Sequence, residues 1–182
     1  MPHGVATSKK VLAIGLGALL APVLLSGAAH ADSDHGPGDG IAPIPPVAPV
    51  EAVVLAQGAA GEFRLGDEET GVHLLATEPT DLAMVRVTVS PRSSTGWHTH
   101  AGPSMVIVAQ GAVRLIEPAH EHYWYDGGCT EETFPAGTAF PHPSDTHNVA
   151  NDGAEPAVVY ITYFLPEGGS PALVPADPPP GC

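Results

Sequence analysis

From residue 51 onward, glycine, proline, aspartate and asparagine cut the chain into short segments in which apolar and polar residues alternate. Period-two alternation places one set of side chains on each side of an extended backbone, so such segments bury a face as strands and not as helices. Ala83, Val85, Val87 and Val89 form one such set, with Met84, Arg86, Thr88 and Ser90 opposite. Further strands are predicted over 51–56, 72–77, 104–109, 112–117, 122–126 and 157–165. Short strands at regular spacing build a sandwich or barrel, and no stretch of about 12 or more residues beyond the leader carries a capped helical repeat. The fold class is therefore all-β. In the last strand Val158, Tyr160, Thr162 and Phe164 share one face and Val159, Ile161, Tyr163 and Leu165 the other. Both sets are largely apolar, so this strand is expected to be buried on both faces, inside the core or against a second copy of the chain.

His98 and His100, in Gly96-Trp97-His98-Thr99-His100, stand one residue apart and project from the same face of a strand. His147, in His147-Asn148-Val149-Ala150-Asn151, follows 47 residues later. A third imidazole on a neighbouring strand completes a facial set on one ion and leaves coordination positions open for substrate, oxygen or water. The competing reading is a solvated surface pair, since eight histidines follow residue 31.

Gly111 closes the hairpin-like run 103–110, and Pro135-Ala136-Gly137 precedes the third histidine. In these residues the chain resembles the cupin superfamily over roughly 80–165. The first cupin motif is His-x-His, an acid three or four residues on and a glycine seven further; the second is Pro-x-Gly followed by His-x-x-x-Asn. The resemblance implies a jelly-roll barrel with a metal inside one end, held by His98, His100 and His147, and folds of this kind often dimerise. This sequence departs from the pattern at three points. Arg92 stands where the first motif opens with glycine. Ser104 and Met105 stand where the acid falls. Phe140 stands where the second motif's histidine ordinarily lies, so His147 needs a longer loop over 140–146. Such insertions are inexpensive, each doubling of loop length costing about 0.6 kcal/mol.

Residues 1–31 read as a secretory leader: Lys9 and Lys10, an apolar stretch over 11–25, then Ala29-His30-Ala31. Export in the unfolded state is expected, because the start lacks paired arginines. Its removal leaves Arg64, Arg86, Arg92 and Arg114 against 20 acids, a net charge of −16 with histidine neutral. That balance excludes nucleic acid and anionic membrane surfaces as partners. The expected order is leader 1–31, Pro/Gly-rich linker 32–50, a single β-barrel domain 51–167 and a proline-rich tail 168–182, in a secreted or extracytoplasmic protein. Cys129 and Cys182 are the two cysteines. In an oxidising compartment they are expected to pair and staple the tail to the domain, against the alternatives of free thiols or thiolate ligands.

Imidazole suits iron, zinc, nickel or copper better than magnesium or calcium, and manganese stays in the set. Without an anionic ligand such an ion keeps its full formal charge, so a carboxylate, enolate or catecholate is a fitting ligand. His142, between Pro141 and Pro143, is a candidate fourth ligand, and Ser104 a candidate pocket residue. His120 and His122, beside Tyr123, Trp124 and Tyr125, read as surface or pocket rim, and Trp97 as packed on the outside of a sheet. Two function classes follow. One is an exported module that holds a divalent metal and binds a small molecule without turnover. The other is a metal-dependent dioxygenase-type oxidoreductase acting on a small oxygenated organic substrate, as three-histidine dioxygenases of the same superfamily do without the acid.

Overall fold

The computed structural model describes residues 50–119 and 128–182, all within one compact unit, Gly40–Cys182. The leader, the linker up to residue 49, and the segment with His120, His122 and the strand predicted over 122–126 lie outside the described residues. Among the described residues there are eleven strands and no helix. They are β1 (Val50–Asp67), β2 (Val72–Val89), β3 (Ser93–Ser94), β4 (His98–Thr99), β5 (Ser104–Gln110) and β6 (Ala112–Pro118), followed by β7 (Cys129–Pro135), β8 (Ala139–His142), β9 (Asn148–Asn151), β10 (Ala157–Pro166) and β11 (Val174–Pro175). No helix among the described residues is long and apolar enough to cross a membrane.

Two sheets carry the fold, in strand orders β1-β2-β10-β5-β8 and β3-β9-β6-β7, with β11 and β4 forming a small third pair. All pairings are antiparallel. Register explains the core. Val87 lies opposite Val159 and Ala83 opposite Tyr163, while Val159 also faces Val108 on the other side. The inward set of β2 therefore continues through β10 into β5. That surface packs against Val113 and Leu115 of β6 and Phe140 of β8 in one buried cluster. Each fully buried side chain of this kind contributes about 1.5–3 kcal/mol relative to exposure. The result is an all-β fold in which two antiparallel sheets share one buried core.

The predicted strands 72–77 and 83–89 run together as one 18-residue strand. Pro79 is accommodated because the register jumps from Thr80 opposite Gly61 to Ala76 opposite Phe63, leaving it without a ladder partner. Gly111, at φ 72°, does not close a hairpin; it carries the chain from β5 in one sheet to β6 in the other. A side chain there would also meet Ala157 at 3.2 Å. Within a single chain β10 is buried on one face. It is central in its sheet, with Val159, Tyr163 and Leu165 buried, but its other face is half-buried at Val158, Thr162 and Phe164 and open at Tyr160, which is 39% exposed. Exposed Met84, Met105 and Ile107 lie beside it on that side.

The second motif's asparagine is structural. Asn151 is buried; its Nδ2 donates to Val89 O at 3.0 Å and Glu155 O at 2.9 Å, while its Oδ1 accepts from Gly153 N at 2.9 Å. These bonds join the end of β9 to the end of β2 and shape the turn that leads into β10.

Cys129 and Cys182 are disulfide-bonded, with Cα atoms 5.2 Å apart and a sequence separation of 53. Closing that loop stabilises the native state by about 4 kcal/mol on the chain-entropy account. Replacing both cysteines with serine should lower the urea midpoint of unfolding accordingly; an unchanged midpoint would show that the bond contributes nothing to the domain.

Candidate metal centre

His98 sits in β4, and its main chain exchanges two hydrogen bonds with His147, from His98 N to His147 O at 2.9 Å and from His147 N to His98 O at 3.0 Å. In an antiparallel pair such residues lie directly opposite one another and share a face. Their ring centroids are 4.1 Å apart. His100, two residues after His98, falls on the same face, 5.2 Å from His147 and 6.5 Å from His98. The three histidines expected to converge are each no more than 6% exposed, with His147 lying nearer to His98 and to His100 than those two lie to one another.

His142 joins them. It ends β8, buried, with its ring 4.0 Å from His147 and 5.7 Å from His100. Its five-residue separation from His147 would oppose the two on a continuous strand, but the chain leaves β8 at His142 and pairs again only at His147. β8 also aligns His142 with Ser104, so the neighbouring strand brings an imidazole beside that hydroxyl. Ring nitrogens of His100, His142 and His147 all lie within 4.8 Å of one another.

The ring orientations are fixed from outside the cluster. Nδ1 of His98 bonds Gly96 O at 2.9 Å, Nδ1 of His100 bonds Gly102 O at 2.6 Å, and Nδ1 of His147 bonds Asp145 O at 2.8 Å. A carbonyl can only accept, so Nδ1 carries the proton in each ring and Nε2 keeps its lone pair, the tautomer a metal ligand needs. Buried, carboxylate-poor and already oriented, the donor set fits a divalent transition ion better than magnesium or calcium.

The cavity these rings line has a volume of about 50 Å³, with Val87, Val106, Leu115, Phe140 and Tyr163 among its walls and Ser104 at its edge. Burial holds the His98 and His100 imidazoles below their ordinary pKa. Burial, reinforced by His98 and His142, pushes His147 down to about 2. Burial also pushes the Tyr163 phenol up to about 12, with its ring 5.1 Å from that of His100. Sequence reading missed Tyr163 as a site residue, although it lies in phase with Val159 and Leu165. It also missed Glu117, in phase with Val113 and Leu115, whose Oε2 is 3.4 Å from His142 Nε2. Trp97 is half-buried, and its carbonyl accepts from Ala176 N at 2.9 Å.

Arg92, where the cupin motif has glycine, adopts φ 50°, the one positive φ at a non-glycine residue among those described. The left-handed backbone is one that glycine adopts more readily than arginine.

In the metal-free protein the sign of the pH effect is set by these depressed values. Between about pH 6.5 and 2 the unfolded chain protonates a histidine that stays neutral in the native state, so the unfolded state binds more protons and stability falls with pH. Above that window the contribution is complete. His147 alone should cost about 2 kcal/mol between about pH 7 and 5. Urea midpoints at the two pH values should show this fall, and His147→Gln should reduce it; an equal fall in both proteins would place the acid sensitivity elsewhere.

No protein-family model matches the chain, and no curated protein matches it. Solved structures do match. They include an oxalate oxidase (TM-score 0.42, 19% identity, covering 52% of this chain and 46% of that one). Another is the oxalate decarboxylase of Lactobacillus farciminis in its formate complex (TM-score 0.40, 17% identity, 51% and 25%). A third is the oxalate decarboxylase of Bacillus subtilis, studied for its Mn(II) centres (TM-score 0.43, 25% identity, 52% and 23%). The chain spans less than half the length of each of them. The chain is thus an all-β protein of two antiparallel sheets in which buried histidines from separate segments line one cavity.

Proposed function

We propose that the chain is an exported metal-binding cupin-like domain that holds one divalent transition ion through His98, His100 and His147 and binds a small molecule beside it. His142 supplies a further imidazole. The observation that carries this reading is the set of three Nδ1 bonds to main-chain carbonyls, which orients three buried rings and leaves each Nε2 able to donate its lone pair. Unpaired, such rings would be a cost of burial with no return. When bound, the ion acts as a Lewis acid and as an anchor for an oxygen ligand. The residues do the rest: apolar walls exclude water, Ser104 offers a hydroxyl, and the Cys129–Cys182 bond suits the non-reducing compartment that export implies.

The second reading is the dioxygenase-type oxidoreductase. The buried Tyr163 beside His100 favours it, since a phenol held protonated is a proton donor within the same cavity.

Elemental analysis of protein purified without a polyhistidine tag should find about one divalent ion per chain, and His98→Ala with His100→Ala should remove it. Full retention of metal in the double variant would exclude the site. His147→Ala should weaken affinity by at least about 100-fold. Oxygen uptake by iron-loaded protein over a panel of diketones, catechols, flavonols and thiols separates the two readings. No uptake together with tight ligand binding by calorimetry would reject the oxidoreductase.

A further inference from the structure

Beside the histidine cavity lies a second and much larger space, an apolar groove of about 750 Å³ between the β1–β2 hairpin and the ends of β5, β8 and β10. Phe63, Leu74, Leu75, Pro103, Met105 and Phe164 make up much of its wall, with Glu78 its one charged lining residue. Ser104 and His142 line the groove and the histidine cavity alike, and so form the partition between them. Leu74 and Leu75 are 38% and 58% exposed, a hydrophobic surface left open to water on the arm that overhangs this partition.

The two volumes divide the work. A cavity of about 50 Å³ takes a few water-sized groups, enough for the polar head of an organic molecule and too little for its body. The groove has the size and apolar lining of a small-molecule site. Charge separates the compartments further: in a chain with 20 acids, no described acid lines the histidine cavity, and Glu117 is held at His142 Nε2 without lining it. Imidazoles, hydroxyls and apolar walls are left to receive an anionic oxygen group.

We infer that the ligand of this site is a medium-chain monocarboxylate, whose hydrocarbon body lies in the groove along the β1–β2 hairpin and whose carboxylate enters the histidine cavity past Ser104 and His142. This rests on the small-molecule part of the function proposed above and names its chemical class.

The test is a calorimetric titration of the full, zinc-loaded chain with straight-chain carboxylates from acetate to decanoate. Affinity should rise about fourfold per added methylene, the equivalent of about 0.8 kcal/mol each, until the groove is filled. Leu75→Asp replaces an exposed side chain, and it should weaken octanoate at least tenfold while leaving acetate unchanged. Affinity independent of chain length, or a Leu75→Asp variant that binds octanoate as before, overturns the inference. A ligand-independent dimer in sedimentation that Leu75→Asp dissociates also overturns it, since the groove would then hold a second copy. Zinc bound at one per chain without length dependence sinks the groove alone. Length dependence that persists without bound zinc sinks the metal reading and leaves the groove standing.

Discussion

The pair of main-chain hydrogen bonds between His98 and His147 is the constraint on which the site depends. It joins the two motif segments residue to residue, so that neither ring can move without the other's backbone. His98 is held a second time from the opposite side, where Pro175 of β11 lies across from it and Val174 across from Thr99. The tail that carries β11 adds Leu173 to the cavity wall and ends at Cys182, bonded to Cys129 at the start of β7. A segment that reads by composition as a loose proline-rich tail is therefore tied at its end and docked beside the metal-ligating face. The disulfide acts on the site through this chain of contacts as well as on the unfolded state.

Four imidazoles in an apolar cavity are expensive, because burial removes their hydration. The three carbonyl bonds at Nδ1 offset half of each ring's loss and fix the tautomer. The Nε2 side is where the proteins' interiors ordinarily offer nothing, and it is the side a cation would satisfy. The same burial that depresses His147 to about 2 thus keeps the ring in the neutral form a metal requires. Affinity for a metal and sensitivity to acid come from one cause.

What the sequence made legible follows from period two. The alternation of β2 marks its inner face, and His98 and His100 share a face for the same reason. β7 was not legible because Cys-Thr-Glu-Glu-Thr-Phe-Pro is a polar edge strand with little alternation, paired to β6 alone. β8 and β9 are four residues each, and Pro141 inside β8 argued against a strand. His142 needed the register that sets it against Ser104, a relation between strands that no spacing along the chain encodes. Tyr163 and Glu117 are in phase with apolar residues that the fold buries, but phase alone does not say how far along a face the cavity extends. Within a single chain β10 is covered on one face, and on the other Tyr160 carries a hydroxyl to solvent.

The departure at Ser104 changes the electrostatics of the site and not its geometry. A carboxylate at this position would contribute a negative charge inside the cavity; a serine with a cross-strand histidine contributes a neutral donor. Glu117 does not restore that charge to the cluster's centre, since its carboxylate meets the ring of His142 and lies outside the cavity wall. An ion held by neutral imidazoles keeps its formal charge, and in a low-dielectric cavity that charge is strongly felt by whatever ligand approaches. The molecule's acidic surface repels anions at long range, but screening confines that repulsion to about 8 Å at physiological ionic strength. Inside the partition the order is reversed, because neutral imidazoles and the Ser104 hydroxyl line the cavity and no described acid does.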